Sequence, residues 1–150
     1  MGISYRLTLA GNIPLERVAE IAAPDATDLP DTPAGNRVLC SDLYEERGYL
    51  VSILAGRNGY YDAEGDDDTQ WEWEPPEYVN IHFDMAKNDA TEKDVPNMVA
   101  TVARVLANRT EDAALVLNSN WLLLTRMNGE LRKHRPQWWA NYGVDDLIPW

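Results

Sequence analysis

Two stretches of this chain follow one plan, and that plan is what most restricts its fold. Each runs from a strand into a helix opened by a polar residue, any residue and Pro, then into two strands and an Asn-Gly turn. The helix starts are Asn12-Ile13-Pro14 and Asp94-Val95-Pro96, and the turns are Asn58-Gly59 and Asn128-Gly129. Proline is tolerated in a first helical turn because the N–H it lacks has no intrahelical partner there. An Asn or Asp before it supplies a side-chain acceptor for the free N–H groups. The spacing between equivalent points drifts, so the repeat is one of topology more than of sequence.

Hydrophobic periodicity fills in the elements. Ile3, Tyr5, Leu7 and Leu9 alternate with Ser4, Arg6, Thr8 and Ala10, as in a half-buried strand. Leu15, Val18, Ala19 and Ala22 form one helical stripe. Residues 24–36, with three prolines and three aspartates, read as a surface loop. Residues 37–44 and 49–56 read as a hairpin turned at 45–48. Asn58-Gly59, a favoured type I′ pair, then starts a return strand at Tyr60-Tyr61. Residues 78–87 form a strand with Val79, Ile81, Phe83 and Met85 on its core face. Val95, Met98, Val99, Val102, Val105 and Leu106 give the second helix its stripe. A hairpin at 112–118 and 121–127 turns across Ser119, a short strand covers 130–135, and a Trp-rich tail from Pro136 docks on the body.

These elements predict an α+β fold in a single domain spanning 1–150. Two βαββ-like halves, about 1–61 and 78–135, form one antiparallel sheet and are joined by an acidic segment, 62–77. Both helices cover one face; the other is partly open or covered by the tail.

The joining segment carries eight of the 25 acidic residues and no Lys or Arg, in a chain of net charge −12. Crowding like charges gains nothing for folding, which points to solubility or a basic partner. Gln70-Trp71-Glu72-Trp73-Glu74 alternates as a strand would, with both indoles on one side. The candidate partner-binding residues are therefore Asp62, Glu64, Asp66, Asp67, Asp68, Trp71, Glu72, Trp73 and Glu74. The carboxylates would steer a basic protein and the indoles would anchor it. The bland reading stands beside this one: a solvated loop, with the indoles sealing the seam between the halves.

Other chemistries find little support. The acidic balance disfavours nucleic acid and anionic membrane surfaces. Cys40, His82 and His134 lie in separate segments without CxxC, HxxxH or HExxH spacing, so neither metal nor cofactor is expected. Asp62, Glu64, Asp66 and Asp68 match the alternation of a calcium loop, but Asp67 and Trp73 stand where it needs Gly and Glu. Cys40 reads as a buried strand residue. Arg132-Lys133-His134-Arg135 reads as charged protection of an edge strand. No nucleophile motif occurs, so the chain is not expected to be an enzyme. A lone cysteine and no apolar leader point to the cytoplasm.

The chain resembles bacterial immunity proteins of the swarming-inhibition (Sit) type, which are found beside polymorphic toxins. The resemblance runs through Ile3-Ser4-Tyr5-Arg6-Leu7, Asp42-Leu43-Tyr44-Glu45-Glu46-Arg47-Gly48-Tyr49 and Trp71-Glu72-Trp73-Glu74. It continues through Asn97-Met98, Arg104-Val105-Leu106, Glu111-Asp112-Ala113-Ala114-Leu115-Val116-Leu117-Asn118 and Asn120-Trp121-Leu122-Leu123-Leu124. It implies a non-enzymatic protein that neutralises a cognate toxin; the acidic charge of the chain, separately, suits a toxin with a basic surface. The alternative is a small-ligand-binding or regulatory domain using the open sheet face and the aromatic tail. A hydrolase would need carboxylates converging with His82 in one cleft.

Overall fold

The computed structural model describes residues 3–30, 37–65, 69–86 and 91–148. Its strands are β1 (Ser4–Ala10), β2 (Thr27–Asp28), β3 (Val38–Leu43), β4 (Tyr49–Arg57), β5 (Tyr61–Glu64), β6 (Gln70–Trp73), β7 (Glu77–Met85), β8 (Ala113–Leu117), β9 (Trp121–Met127) and β10 (Glu130–Lys133). The helices are α1 (Leu15–Ala22), α2 (Thr91–Asn108) and α3 (Pro136–Tyr142), followed by a 3-10 turn at Asp145–Leu147. The protein is α+β, and its sheet is antiparallel except for one parallel bridge between Glu64 and Trp121.

The strand order is β2-β3-β4-β7-β1-β8-β9-β5-β6, with β10 on β9. Strands from residues 1–61 and 78–135 interleave at the centre: β1 lies between β7 and β8, and β7 lies between β4 and β1. The first face carries Tyr5, Leu7, Leu9, Val51, Ile53, Val79, Ile81, Phe83 and Leu115. All are buried in one core with the stripes of both long helices. Every residue of the two predicted helical stripes is in that core. Period-2 and period-3.6 patterning thus meet on one surface, as a sheet covered by helices requires.

Several local expectations change. Asn12 does not cap α1. Pro14 is the residue before its first turn and no side chain caps it, because the helix begins too far along for Asn12 to reach. The second helix starts at Thr91, so Pro96 lies inside α2. Asp94 still accepts the Val95 N–H at 2.7 Å and is buried. The loop expected over 24–36 contributes β2 to the sheet edge, and residues 31–36 lie outside the described residues.

The larger change concerns Asn58-Gly59. The strand after it does not return along β4, because β4 already pairs with β3 on one side and β7 on the other. Asn58 and Gly59 instead donate to the carbonyls of Pro76 and Pro75, at 2.8 and 2.9 Å. Residues 58–65 and 69–76 thus leave the end of the β4–β7 ladder, which closes at the Arg57–Glu77 pair.

The Trp-rich tail packs in the main core and not over the second face. Trp138 meets Tyr5 edge-on, with ring centres 5.8 Å apart. The Trp139 indole N–H is shared between the carbonyls of His134 and Leu123. Within the basic cluster, Arg132 is exposed on β10, an edge strand as expected, while Lys133 holds the tail. Lys133 is buried and donates to the backbone and carboxylate of Asp145 at 2.7 and 2.8 Å. Residues 149 and 150 lie outside the described residues.

Candidate protein-binding site

The acidic segment forms the β5–β6 hairpin, and the period of 2 sorts its side chains. Tyr61 pairs with Trp73, Asp62 with Glu72, Ala63 with Trp71 and Glu64 with Gln70. Tyr61, Ala63, Trp71 and Trp73 turn inward, while Asp62, Glu64, Gln70 and Glu72 turn out. The inward set lies across the second face of the sheet. Trp71 and Trp73 are half-buried against a small cluster of Ala63, Ala114, Val116 and Leu122. Their ring centres are 5.8 Å apart, and Trp73 also meets Tyr61 at 6.3 Å.

A second anchor comes from β1 and β7. The Arg6 guanidinium stacks on the Tyr61 ring, 4.4 Å from its centre. Asn80 donates to the Tyr61 hydroxyl at 3.0 Å and accepts from the Thr8 hydroxyl at 2.6 Å. Burial pushes the Tyr61 hydroxyl up to about 12. Burial also lowers the pKa of Arg6 and, with the Arg6 charge, that of His82, its neighbour across the β1–β7 ladder. Tyr78 closes the group, edge-on to Tyr61. Its ring occupies the space beside Gly56: a Cβ there would fall 2.3 Å from the Tyr78 hydroxyl.

A third anchor holds the tip. Arg135 donates to the carbonyls of Glu64 and Gly65, at 3.0 and 3.2 Å, and stacks on Trp121. Trp121 and Arg135 also line a surface groove of about 670 Å³ with Pro136, Trp138 and Ala140.

The outward face is strongly acidic. Asp62, Glu64, Glu72 and Glu74 are exposed, and none makes an ion pair within the described residues. The Tyr60 hydroxyl donates to Glu72 at 3.3 Å. The Glu72 charge, with smaller effects from Asp62 and Glu74, raises its pKa. Asp66, Asp67 and Asp68 lie outside the described residues, and with them the calcium-loop comparison.

Arg6, Tyr61, Asn80 and Arg135 are not among the residues the sequence marks as a site. Alternation places Arg6 opposite Tyr5 and Leu7, but nothing local shows that a distant ring will cover it. Cys40 was expected to be buried; it is only partly so, because the β3 alternation buries Leu39 and turns Cys40 to the second face. His82 shares that face with Arg6 and Ser52, its cross-strand neighbours. Among the described residues no three His, Cys, Asp or Glu side chains converge as metal ligands, and no helix is long and apolar enough to cross a membrane.

An acidic hairpin is thus pinned across one face of an α+β fold, its outward carboxylates without ion pairs among the described residues. The chain belongs to the SitI3-like family, which matches it over residues 3–143. Neither a curated protein nor a solved structure matches it. Membership suggests an immunity-protein role, and such a role implies a toxin partner in general.

Proposed function

We propose that this protein binds and neutralises a cognate bacterial toxin by direct protein–protein contact, through the outer face of the β5–β6 hairpin. The observation that carries the reading is the set of four exposed carboxylates, Asp62, Glu64, Glu72 and Glu74, without ion-pair partners among the described residues and on an element anchored at both ends. Asp66, Asp67 and Asp68 extend the same acidic run in sequence. Such a face attracts a basic surface and speeds encounter, whereas it repels nucleic acid and anionic membranes. Trp71 and Trp73 contribute from the inner face, by holding the carboxylates in place. The action is placed in the cytoplasm, where the single Cys40 stays reduced.

The test is binding to the toxin encoded beside this gene. A 1:1 complex is expected, with an association rate that falls as salt rises. Reversing Asp66, Asp67 and Asp68 to Lys together should slow association and flatten that salt dependence. Lack of binding to the neighbouring toxin, with no protection of the producing cell, would refute the reading.

A further inference from the structure

Strand β6 ends the strand order, and its outer edge is open. The direction of its backbone groups follows from the ladder on its other side. Glu64 donates its N–H to the Asn120 carbonyl at 2.7 Å, away from β6. In an antiparallel ladder the two members of a pair either exchange both backbone bonds or turn both away. Glu64 faces Gln70, so Gln70 is turned away as well, and two residues on, so is Glu72. The bond from Gly65 N–H to the Thr69 carbonyl, 2.8 Å long, keeps this alternation. The N–H and C=O groups of Gln70 and Glu72 therefore point out of the sheet, and no backbone bond meets them among the described residues.

The side chains along this edge discriminate between occupants. A second copy paired on β6 would bring two acidic outer faces side by side, each with Asp62, Glu64 and Glu72, which blunts self-association. A strand with Lys or Arg at alternate positions would set a cation beside Glu72, with Asp62 one strand further in. Its intervening apolar residues would extend the layer begun by Trp71 and Trp73.

We propose that β6 receives an extended, basic–apolar alternating segment of a protein partner by strand addition, hydrogen-bonded to Gln70 and Glu72. This rests on the toxin-binding reading, the segment being part of the toxin.

Gln70→Pro removes one outward donor without touching the β5–β6 ladder, and edge positions of this kind tolerate proline. Gln70→Ala keeps the donor and serves as the side-chain control. With the toxin encoded beside the gene as the probe, Gln70→Pro should weaken binding about tenfold and Gln70→Ala far less. Hydrogen exchange on the unmodified protein reads the edge independently of any effect of proline on folding. The Gln70 and Glu72 amides should become protected in the complex. Equal binding by wild type and Gln70→Pro, or amides that stay unprotected, would overturn the edge assignment and leave toxin binding intact. A toxin that fails to bind wild type would overturn both. A homodimer with β6 protected would overturn the assigned occupant.

Discussion

The guanidinium of Arg6 lies over the ring of Tyr61, 4.4 Å from its centre, so a central strand grips the acidic hairpin through an aromatic face. Replacing Arg6 with Ala should cost about 1–2 kcal/mol, the range of a largely desolvated cation–π contact. Chemical denaturation checks the magnitude, and hydrogen exchange should show the loss concentrated in residues 61–64 and 70–73.

Arg6 also governs His82. Burial, and then the Arg6 charge, depress the histidine pKa. Asp84, on the same strand, works weakly the other way, and Ser52 is the neutral neighbour on β4. A base with a depressed folded pKa contributes stability that is complete above its unfolded pKa, about 6.5. That contribution is lost as pH falls from there toward the folded value. His82→Gln should flatten this part of the stability profile relative to wild type. Arg6→Gln should raise the His82 pKa measured by NMR.

Asp62 and Glu72 stand directly opposite one another on the hairpin. Like charges in that position destabilise a sheet, so Asp62→Lys should stabilise the fold by about 0.5 kcal/mol. The same change should slow toxin association. A variant more stable yet slower to bind would separate the two roles of the carboxylates; a gain in both would count against an acidic docking face.

Trp73→Ala should destabilise the protein by about 2 kcal/mol, less than loss of a fully buried indole, because Trp73 is half-buried against Tyr61 and the Ala114–Leu122 cluster. The measurement is a denaturation midpoint with unchanged slope. A mutant as stable as wild type would mean the indole contributes nothing to holding the hairpin.

Gly48 has φ +90°, and a Cβ there would sit 2.7 Å from the Cβ of Asp94 at the start of α2. Gly48→Ala should therefore cost about 1–3 kcal/mol, from backbone strain and crowding. Thermal unfolding checks this. The Asp94 carboxyl, whose pKa is raised chiefly by burial, should shift as the helix start is displaced.

How much was legible depended on the distance over which each signal acts. Alternation in residues 5–9, 49–54 and 79–85 placed the core side chains correctly because it reflects one strand and one buried face, whereas Ile3, before the start of β1, is exposed. The stripe from Val95 to Leu106 did the same for α2. Asn128 and Gly129, both at positive φ, form the expected turn because β9 and β10 are free to pair across it. Asn58 also has positive φ, yet no hairpin forms there. Turn propensity sets the local bend and cannot know that both edges of β4 are taken. In the candidate site, the carboxylates and indoles were visible as composition, but Arg6, Asn80 and Arg135 were not. Each acts on residues distant in the chain.

The sequence alone determined the elements, the side of each that is buried and the concentration of negative charge between residues 62 and 77, because these depend on side-chain type and on periods of 2 and 3.6. Tertiary structure alone decided where that charge sits. It interleaved β1, β7 and β8, filled both edges of β4 and so sent residues 58–65 and 69–76 across the second face. The inward indoles, the Arg6–Tyr61 stack and the Arg135 bonds then fixed which side of the acidic hairpin meets solvent. Pairing partners are chosen by competition among all strands of the sheet, and that competition has no local signature.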